Sequence, residues 1–403
     1  MTLLHVRAQS YFDGQDLHSE AEGPFLLAIR DGAIESIARA AVDARADIEA
    51  PFVMPGLVDA HAHLFLDGGE LNLERRNAYL NASTTDMMEV ARANVVRSQR
   101  AGITLVRDAG DRYGINHEIR AELRRGERAS VAVRSPGLGI KRPKRYGGFM
   151  ARDVEPGGDI EAIVDDITRT ADDVKIILTG VIDFVAGSVK GSPQFDEEEL
   201  RAIVAAAHAH ERRTFAHCSG IDGLKVAVSA GVDSIEHGFF MTRDVLERMA
   251  DKGIAWVPTF SPVHFQWARP EIAGWDGATV GNLRRILDSH LEHVAIAHAV
   301  GVELVAGSDA GSPGVVHGEA LIDELLHFLD AGMPMRDVLR TATSRPRRLW
   351  GQPPVDIRPG NAAEFVIFEQ SPFIDPHALR TASRCVYHDR KSRLVRDEAG
   401  SSV

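Results

Sequence analysis

His61 and His63 stand one residue apart at the end of the run Met54-Pro-Gly-Leu-Val-Asp-Ala-His-Ala-His-Leu64. On a strand, side chains at i and i+2 point to the same side, so the two rings converge on one point. Neutral imidazoles held that close are ligands for a transition-metal ion. A bare His-x-His also arises by coincidence in loops, so the pair needs partners. Downstream, His217 ends the run Thr214–His217, His237 ends Ser234-Ile-Glu-His, and Asp309 ends Val302-Glu-Leu-Val-Ala-Gly-Ser-Asp. Lys175 lies inside the apolar run Val174-Lys-Ile-Ile-Leu178. An ammonium cannot ligate a cation, but a desolvated lysine shifts towards the neutral amine. The amine adds carbon dioxide to give a carbamate, an anion whose two oxygens can bridge two metal ions. An ion-paired lysine is the plainer reading of that position alone; beside five other such groups, the carbamate is preferred.

The elements that must position these groups follow from periodicity. From residue 55 onwards, apolar strands alternate with amphipathic helical stretches. Thr84–Ala101 is a helix closed by Gly102, then Ile103–Arg107 is a strand. Helical patterns at His117–Arg125, Asp159–Ala171, Asp196–Arg212, Gly223–Ala230, Arg243–Lys252 and Leu283–Val300 precede further strands. Counting the strand that carries His61 gives eight successive β-then-α units, the signature of a closed (β/α)8 TIM barrel. In such a barrel, groups at the C-terminal strand ends share one mouth. His61 and His63, Lys175, His217, His237 and Asp309 would all face it, and so many buried ionisable groups are costly unless paired or metal-bound. Residues 1–53 read as short strands with Asp-Gly turns at Asp13-Gly14 and Asp31-Gly32. Ala363–Phe368 and Val386–His388 supply further strands after Pro359-Gly360. Residues 1–53 and 351–403 are thus expected to form a small β-sandwich domain beside a barrel of residues 54–350.

Composition bounds the function. A chain of 403 residues with 44% apolar and 26% charged content is an ordinary globular enzyme in its make-up. The formal charge of −12 argues against nucleic acid or an anionic membrane as partner and leaves a small-molecule substrate, even an anionic one, open. The two cysteines, Cys218 and Cys385, make no disulfide framework, and no run of eighteen apolar residues occurs. The opening residues Met1-Thr-Leu-Leu-His-Val-Arg lack the pattern of a signal peptide. A cytoplasmic location and a homo-oligomer are the expectations.

The chain resembles the amidohydrolase superfamily of metal-dependent hydrolases, in particular its prolidase-like and arginine-type carboxypeptidase branch. The resemblance is carried by Pro55-Gly-Leu-Val-Asp-Ala-His-Ala-His, Thr104-Leu-Val-Arg-Asp, Val174-Lys-Ile, Phe215-Ala-His, Ser234-Ile-Glu-His-Gly, Val257-Pro-Thr, Ala306-Gly-Ser-Asp-Ala-Gly and His317-Gly-Glu. It implies a binuclear zinc centre, with His61, His63 and Asp309 at the buried ion and His217 and His237 at the other. Carboxylated Lys175 and a hydroxide would bridge the two. The reaction implied is hydrolysis of a C–N bond in an amide, peptide, N-acyl amino acid, carbamate or cyclic amide, with Asp309 as general base and acid. A mononuclear deaminase or an imidazolonepropionase-like ring hydrolase is the rival within enzymes, and such a site has no need of Lys175. A non-catalytic barrel kept for binding or assembly is the rival from another class, and it predicts a broken ligand set.

One stretch departs from that pattern. Relatives of the dipeptidase type tend to carry Gly-Gly-His after the third strand, where this chain reads Gly139-Ile-Lys-Arg-Pro-Lys-Arg-Tyr-Gly-Gly-Phe149. Lys141, Arg142, Lys144 and Arg145 form a basic cluster that either holds an anionic substrate group or is a solvated loop, with Tyr146 placed to polarise a carbonyl. His264, after the seventh strand, is a further substrate-contact candidate. His208 and His210 repeat the spacing on a helix, where i and i+2 diverge, and read as surface residues. His290, His293 and His298 are expected outside the barrel, Cys218 in the packing, and Arg107 with Asp108 either at the mouth or in an ion pair.

Overall fold

The structure, a computed structural model, describes residues 3–41, 44–126, 131–386 and 394–395. β1 (Leu3–Phe12) pairs at its end with the short β2 (Leu17–His18) and along its length with β3 (Phe25–Arg30), which turns into β4 (Ala33–Arg39). Asp31 and Gly32 make that turn with φ of 50° and 83°, the left-handed pair a two-residue hairpin favours. β5 (Ile48–Pro55) runs parallel to β1 on its other side.

Two parallel sheets follow. β6 (Leu57–Ala62), β7 (Ile103–Asp108) and β8 (Ala132–Arg134) form the first. The second contains β9 (Gly139–Lys141), β10 (Ala151–Asp153), β11 (Asp173–Ile177), β14 (Arg213–Cys218), β15 (Ser234–His237), β16 (Ala255–Val257) and β17 (Glu303–Leu304), in the order β10-β9-β11-β14-β15-β16-β17. A small hairpin, β12 (Ile182–Asp183) with β13 (Ser188–Val189), rises from the loop after β11. Backbone bonds tie the sheets along both flanks. Asp172 N–H donates to Ser135 C=O at 2.9 Å on one side. On the other, Ala60 donates to Ala306 (3.0 Å), Asp309 to His61 (2.7 Å) and His63 to Ala310 (2.7 Å).

Helices alternate with these strands, as the periodicity requires. α1 (Leu73–Tyr79) and α2 (Thr84–Arg100) follow β6, α3 (Ile115–Arg124) follows β7, and α4 (Ile160–Thr168) precedes β11. α5 (Glu197–Ala209), α6 (Ile221–Ala230) and α7 (Arg243–Lys252) precede β14, β15 and β16. α8 (Ser261–Ala268), the single turn α9 (Pro270–Ala273) and α10 (Gly277–Val300) lie between β16 and β17. α11 (Glu319–Asp330), α12 (Met335–Thr341) and α13 (Ser344–Leu349) come after it. Their starts carry acceptors for the free first-turn N–H groups: Ser83, Asp159, Thr242, Asp276, and Asp196 in a capping box with Glu199.

The chain returns to the first sheet through β18 (Phe365–Phe368), β19 (Ala382–Val386) and β20 (Leu394–Val395), giving the order β20-β19-β18-β5-β1-β3-β4. Alternation on β18 sorts its side chains between two cores. Phe365 and Ile367 join a small core with Val6, Leu27 and Val53, while Val366 and Phe368 join the large core that contains Phe12, Phe52 and Met54. The terminal sheet is thereby fastened face-on to the strand-and-helix body. Strands β1 to β5 and β18 to β20 thus lie in one hydrogen-bonded sheet, where two facing sheets of a sandwich are the expectation.

Candidate metal centre

Six of the ionisable residues singled out from the sequence come together: His61, His63, His217 and His237 at strand ends, Lys175 inside β11 and Asp309 beyond β17. His61 Nε2 and His63 Nε2 lie 3.7 and 3.5 Å from Asp309 Oδ1. One donor atom from each of the three falls within 4.8 Å of the others, the geometry of a shared cation. The ring of His237 is centred 5.0 Å from His61 and 4.5 Å from His217, so the second pair of imidazoles adjoins the first. Lys175 is 1% exposed, its Nζ 4.7 Å from the centre of the Phe215 ring. Neither Lys175 Nζ nor His217 Nε2 has a hydrogen-bond partner among the described residues.

Burial sets the protonation of the cluster. It pushes His63 and His217 down to about 3, and His61 and His237 well below the usual imidazole range, with Lys175 adding repulsion in each case. All four rings are therefore neutral near pH 7 and keep a lone pair for a cation. Burial lowers Lys175 to about 8 and raises Asp309 to about 7, the latter opposed by the lysine charge. Orphaned buried nitrogens beside neutral imidazoles and a carboxylate are what a divalent ion fits.

The Amidohydrolase family profile matches residues 52–391. The chain belongs to the amidohydrolase family. An uncharacterized protein of Mycobacterium tuberculosis is 30% identical over 381 residues, covering 94% of this chain and 92% of that one. Ochratoxinase of Aspergillus niger is 25% identical over 364 residues, covering 81% and 72%. The solved structure of a Xaa-Pro dipeptidase with methionine bound in its active site has the same fold, with a TM-score of 0.81 at 23% identity over 96% of this chain and 98% of that one. As an amidohydrolase the protein is an enzyme that hydrolyses C–N bonds, in a family that uses divalent metal ions.

The amidohydrolase cluster is held by residues that the sequence alone does not single out. Glu236, fully buried, accepts from His61 Nδ1 at 2.6 Å, from Arg107 Nη2 at 2.8 Å and from Ser234 Oγ at 2.6 Å. A carboxylate on Nδ1 keeps that nitrogen protonated and leaves the Nε2 lone pair turned towards Asp309. Arg107 thus belongs to an internal ion pair and not to the mouth. Thr259 Oγ1 meets His237 Nδ1 at 2.7 Å, and Trp256 Nε1 donates to the His237 carbonyl at 3.0 Å. His237, Thr259 and Asp309 have φ of 67°, 51° and 52°, a left-handed backbone costing about 1–2 kcal/mol at a non-glycine residue. Asp59 accepts from Ser308 N–H (2.9 Å) and Ser308 Oγ (2.5 Å), which anchors the turn that presents Asp309. Gly307 is needed there because a Cβ would lie 2.9 Å from His61 N and 2.6 Å from Val257 Cγ1.

The remaining candidates divide. Tyr146 is brought to the cluster, its ring 5.1 Å from that of His217, and burial with the Asp309 charge raises its hydroxyl, keeping it a donor. Phe149 is 6.2 Å from His63, ring to ring. Lys141 is engaged by Asp153 and the Arg142 carbonyl, and Arg142 by Glu199 and the Val154, Glu155 and Gln194 carbonyls. Arg145 donates to the Ser192 carbonyl. His264 packs 4.7 Å from His327 and 5.6 Å from Trp267, ring to ring. Of the expected substrate contacts, Lys141 and Arg145 thus bond to protein acceptors and His264 packs against other rings. His208 and His210 are surface partners of Asp233 and Asp165. His290 differs from expectation: it faces inward from α10, stacked at 3.8 Å on Phe239 and bonded to the Pro258 carbonyl, while His293 and His298 stay nearer solvent.

Proposed function

We propose that this amidohydrolase cleaves the amide or peptide bond of a small molecule with two divalent ions, zinc by the nature of the donors. His61, His63 and Asp309 would hold one ion, His217 and His237 the other, and a carbamate on Lys175 would join them. The observation that carries this reading is Lys175 Nζ, buried without a partner beside four neutral imidazoles and a carboxylate. When bound, the ions would acidify water and polarise the scissile carbonyl. Asp309 Oδ1 faces both His61 and His63, so it is the group placed to take a proton from the attacking water and return it to the leaving nitrogen. Its Oδ2 is steadied by Ser312 Oγ at 3.3 Å. The Tyr146 hydroxyl would donate to the carbonyl oxygen as charge builds there. Glu236 fixes the tautomer of His61, and the backbone bonds from Ala306 to Ala310 onto β6 support a closed (β/α)8 barrel over residues 54–350, with residues 1–53 and 351–403 as the smaller domain.

The test is metal content per chain for protein grown with zinc and bicarbonate, wild type beside Lys175→Ala, together with hydrolysis of a panel of N-acyl amino acids and dipeptides. Two ions per chain, falling in the variant along with activity, is the expected result. Carbon-13 bicarbonate should add a carbamate carbon resonance that Lys175→Ala lacks. One ion per chain, indifferent to the substitution, refutes the bridged centre and returns the mononuclear ring hydrolase or deaminase to the front.

A further inference from the structure

Beside the candidate centre lies a cavity of ≈ 350 Å³ that the chemistry above does not use. Its walls come from the loop after β6, from α1, from the start of α2 and from the β9–β10 loop. Leu66, Tyr79, Leu80, Val90 and Phe149 supply its apolar surface. Phe149 belongs to both places, since its ring also packs 6.2 Å from His63 and 6.3 Å from Tyr146. A molecule with its scissile carbonyl near Tyr146 therefore has the cavity within reach of one substituent.

Of the polar residues that line the cavity, Arg75, Arg76 and Tyr79 are engaged by the protein, and the exposed Asn77 stands beside them. Arg75 makes a two-pronged pair with Glu70 at 2.7 and 2.9 Å. Arg76 gives its N–H groups to the carbonyls of Asp67, Glu70 and Gly311 at 2.6, 3.0 and 2.7 Å. The Tyr79 hydroxyl donates to the Phe65 carbonyl at 2.5 Å. Leu66, Leu80, Val90 and Phe149 offer a polar substituent no hydrogen bond, whereas an apolar one packed against them gains by leaving water. At the lower end of small-molecule pocket sizes, the space suits one arm of a substrate and not a whole one. In the basic loop Lys141, Arg142 and Arg145 each bond a protein acceptor, which leaves the exposed Lys144 as its remaining charge.

We infer that this cavity receives a bulky apolar substituent, aromatic or branched aliphatic, attached next to the scissile amide, with Phe149 as the wall that selects it. The inference rests on the amide-hydrolase reading. It is tested with the zinc-loaded enzyme on N-acetylglycine, N-acetylphenylalanine and N-(3-phenylpropanoyl)glycine, wild type beside Val90→Arg and Leu80→Arg. One phenyl-bearing substrate should exceed N-acetylglycine about 100-fold in kcat/KM, a gain of the size apolar pockets give, and either arginine should bring the ratio towards one. Calorimetric binding of 3-phenylpropionate against propionate reads the cavity without turnover, and the first should bind more tightly in wild type only. Hydrolysis with no phenyl preference, or equal affinity for the two acids, overturns the inference and leaves the hydrolase standing. A phenyl preference in binding that Val90→Arg abolishes, with no amide cleaved, supports the cavity and overturns the amide reading.

Discussion

Replacing Glu236 with Gln keeps the volume of a fully buried side chain and removes its charge. The wild-type carboxylate accepts three times, from His61 Nδ1, Arg107 Nη2 and Ser234 Oγ, at 2.6, 2.8 and 2.6 Å. A Gln amide has one acceptor oxygen and a donor NH2, so either Arg107 loses its acceptor or His61 Nδ1 meets a donor, which it accepts only in the tautomer that protonates Nε2 and removes the ligating lone pair. Arg107 is 1% exposed and would keep only neutral acceptors, the Ala60 carbonyl at 2.8 Å, Ser234 Oγ at 3.4 Å and at most the new amide oxygen. Leaving a buried charge without its partner costs about 3–5 kcal/mol of folding free energy. Loss of the carboxylate behind a metal-ligating imidazole costs about 10–100-fold in metal affinity, or about 1.4–2.7 kcal/mol. Denaturant titration of the metal-stripped protein reads the first quantity, and zinc competition with a calibrated chelator reads the second. Adding Arg107→Met separates them: with the orphaned charge gone, stability should largely recover, while affinity should not, since His61 still lacks its carboxylate. If Glu236→Gln loses stability but shifts zinc affinity by less than about threefold, Glu236 serves Arg107 alone and its role behind the metal ligand is refuted.

Asp309→Asn should lower kcat about 10²–10⁴-fold at saturating zinc with a much smaller change in KM, because the amide cannot carry the proton; steady-state kinetics beside metal analysis check this. His290 titrates near 6.5 in the unfolded chain and near 3 when buried, so the stability it contributes is complete above pH 6.5 and lost as the pH falls towards 3. His290→Phe keeps the stack on Phe239 and should flatten the stability–pH curve between pH 6 and 4 by one proton, about 1.4 kcal/mol per pH unit, in denaturant midpoints. An unchanged slope would show that the ring is not held neutral. Gly307→Ala places a Cβ against His61 N and should cost about 1–3 kcal/mol in the same titrations, together with zinc affinity.

What could be read from the sequence is what strand periodicity and strand ends control. The residues His61, His63, His217, His237 and Asp309 stand out because apolar runs end on them, and Lys175 because a charge interrupts one. What stayed hidden depends on contacts across long separations. Glu236 meets His61 from 175 residues away, and nothing local in Ser234-Ile-Glu-His announces it beyond a carboxylate in an apolar strand. The basic cluster reads as a free patch until Asp153, Glu199 and Ser192, at separations of 12, 57 and 47 residues, are seen to engage Lys141, Arg142 and Arg145. His290 reads only as a residue of a long helix outside the barrel; Phe239, Trp256 and Phe260, which enclose it, come from two different strand–helix connections and β16. Phe149 is visible as a departure from a motif, but the cavity it walls is built by α1 and α2, which no local pattern joins to it.

The cluster is assembled against its own electrostatics, and that has a measurable consequence. Burial, with Lys175, His63, Arg107 and His217, keeps His61 neutral, while burial, Asp59 and Glu236 oppose the charge on Asp309 that Lys175 favours. Two of the proposed ligands, His237 and Asp309, sit in left-handed backbone as well. These costs fall on the folded state alone and are offset by the packing around Trp256 and the Asp59–Ser308 bonds. A cation that binds only the folded chain stabilises it by RT ln(1 + [M]/Kd), about 4 kcal/mol at a thousandfold excess over Kd. Chelation should therefore lower the denaturant midpoint of the wild type clearly, and of Lys175→Ala by less, because that variant has lost the bridge before chelator is added. A wild-type midpoint that chelator does not move, in protein shown by metal analysis to lose its ions, would mean that the strain at these strand ends is not relieved by metal at all.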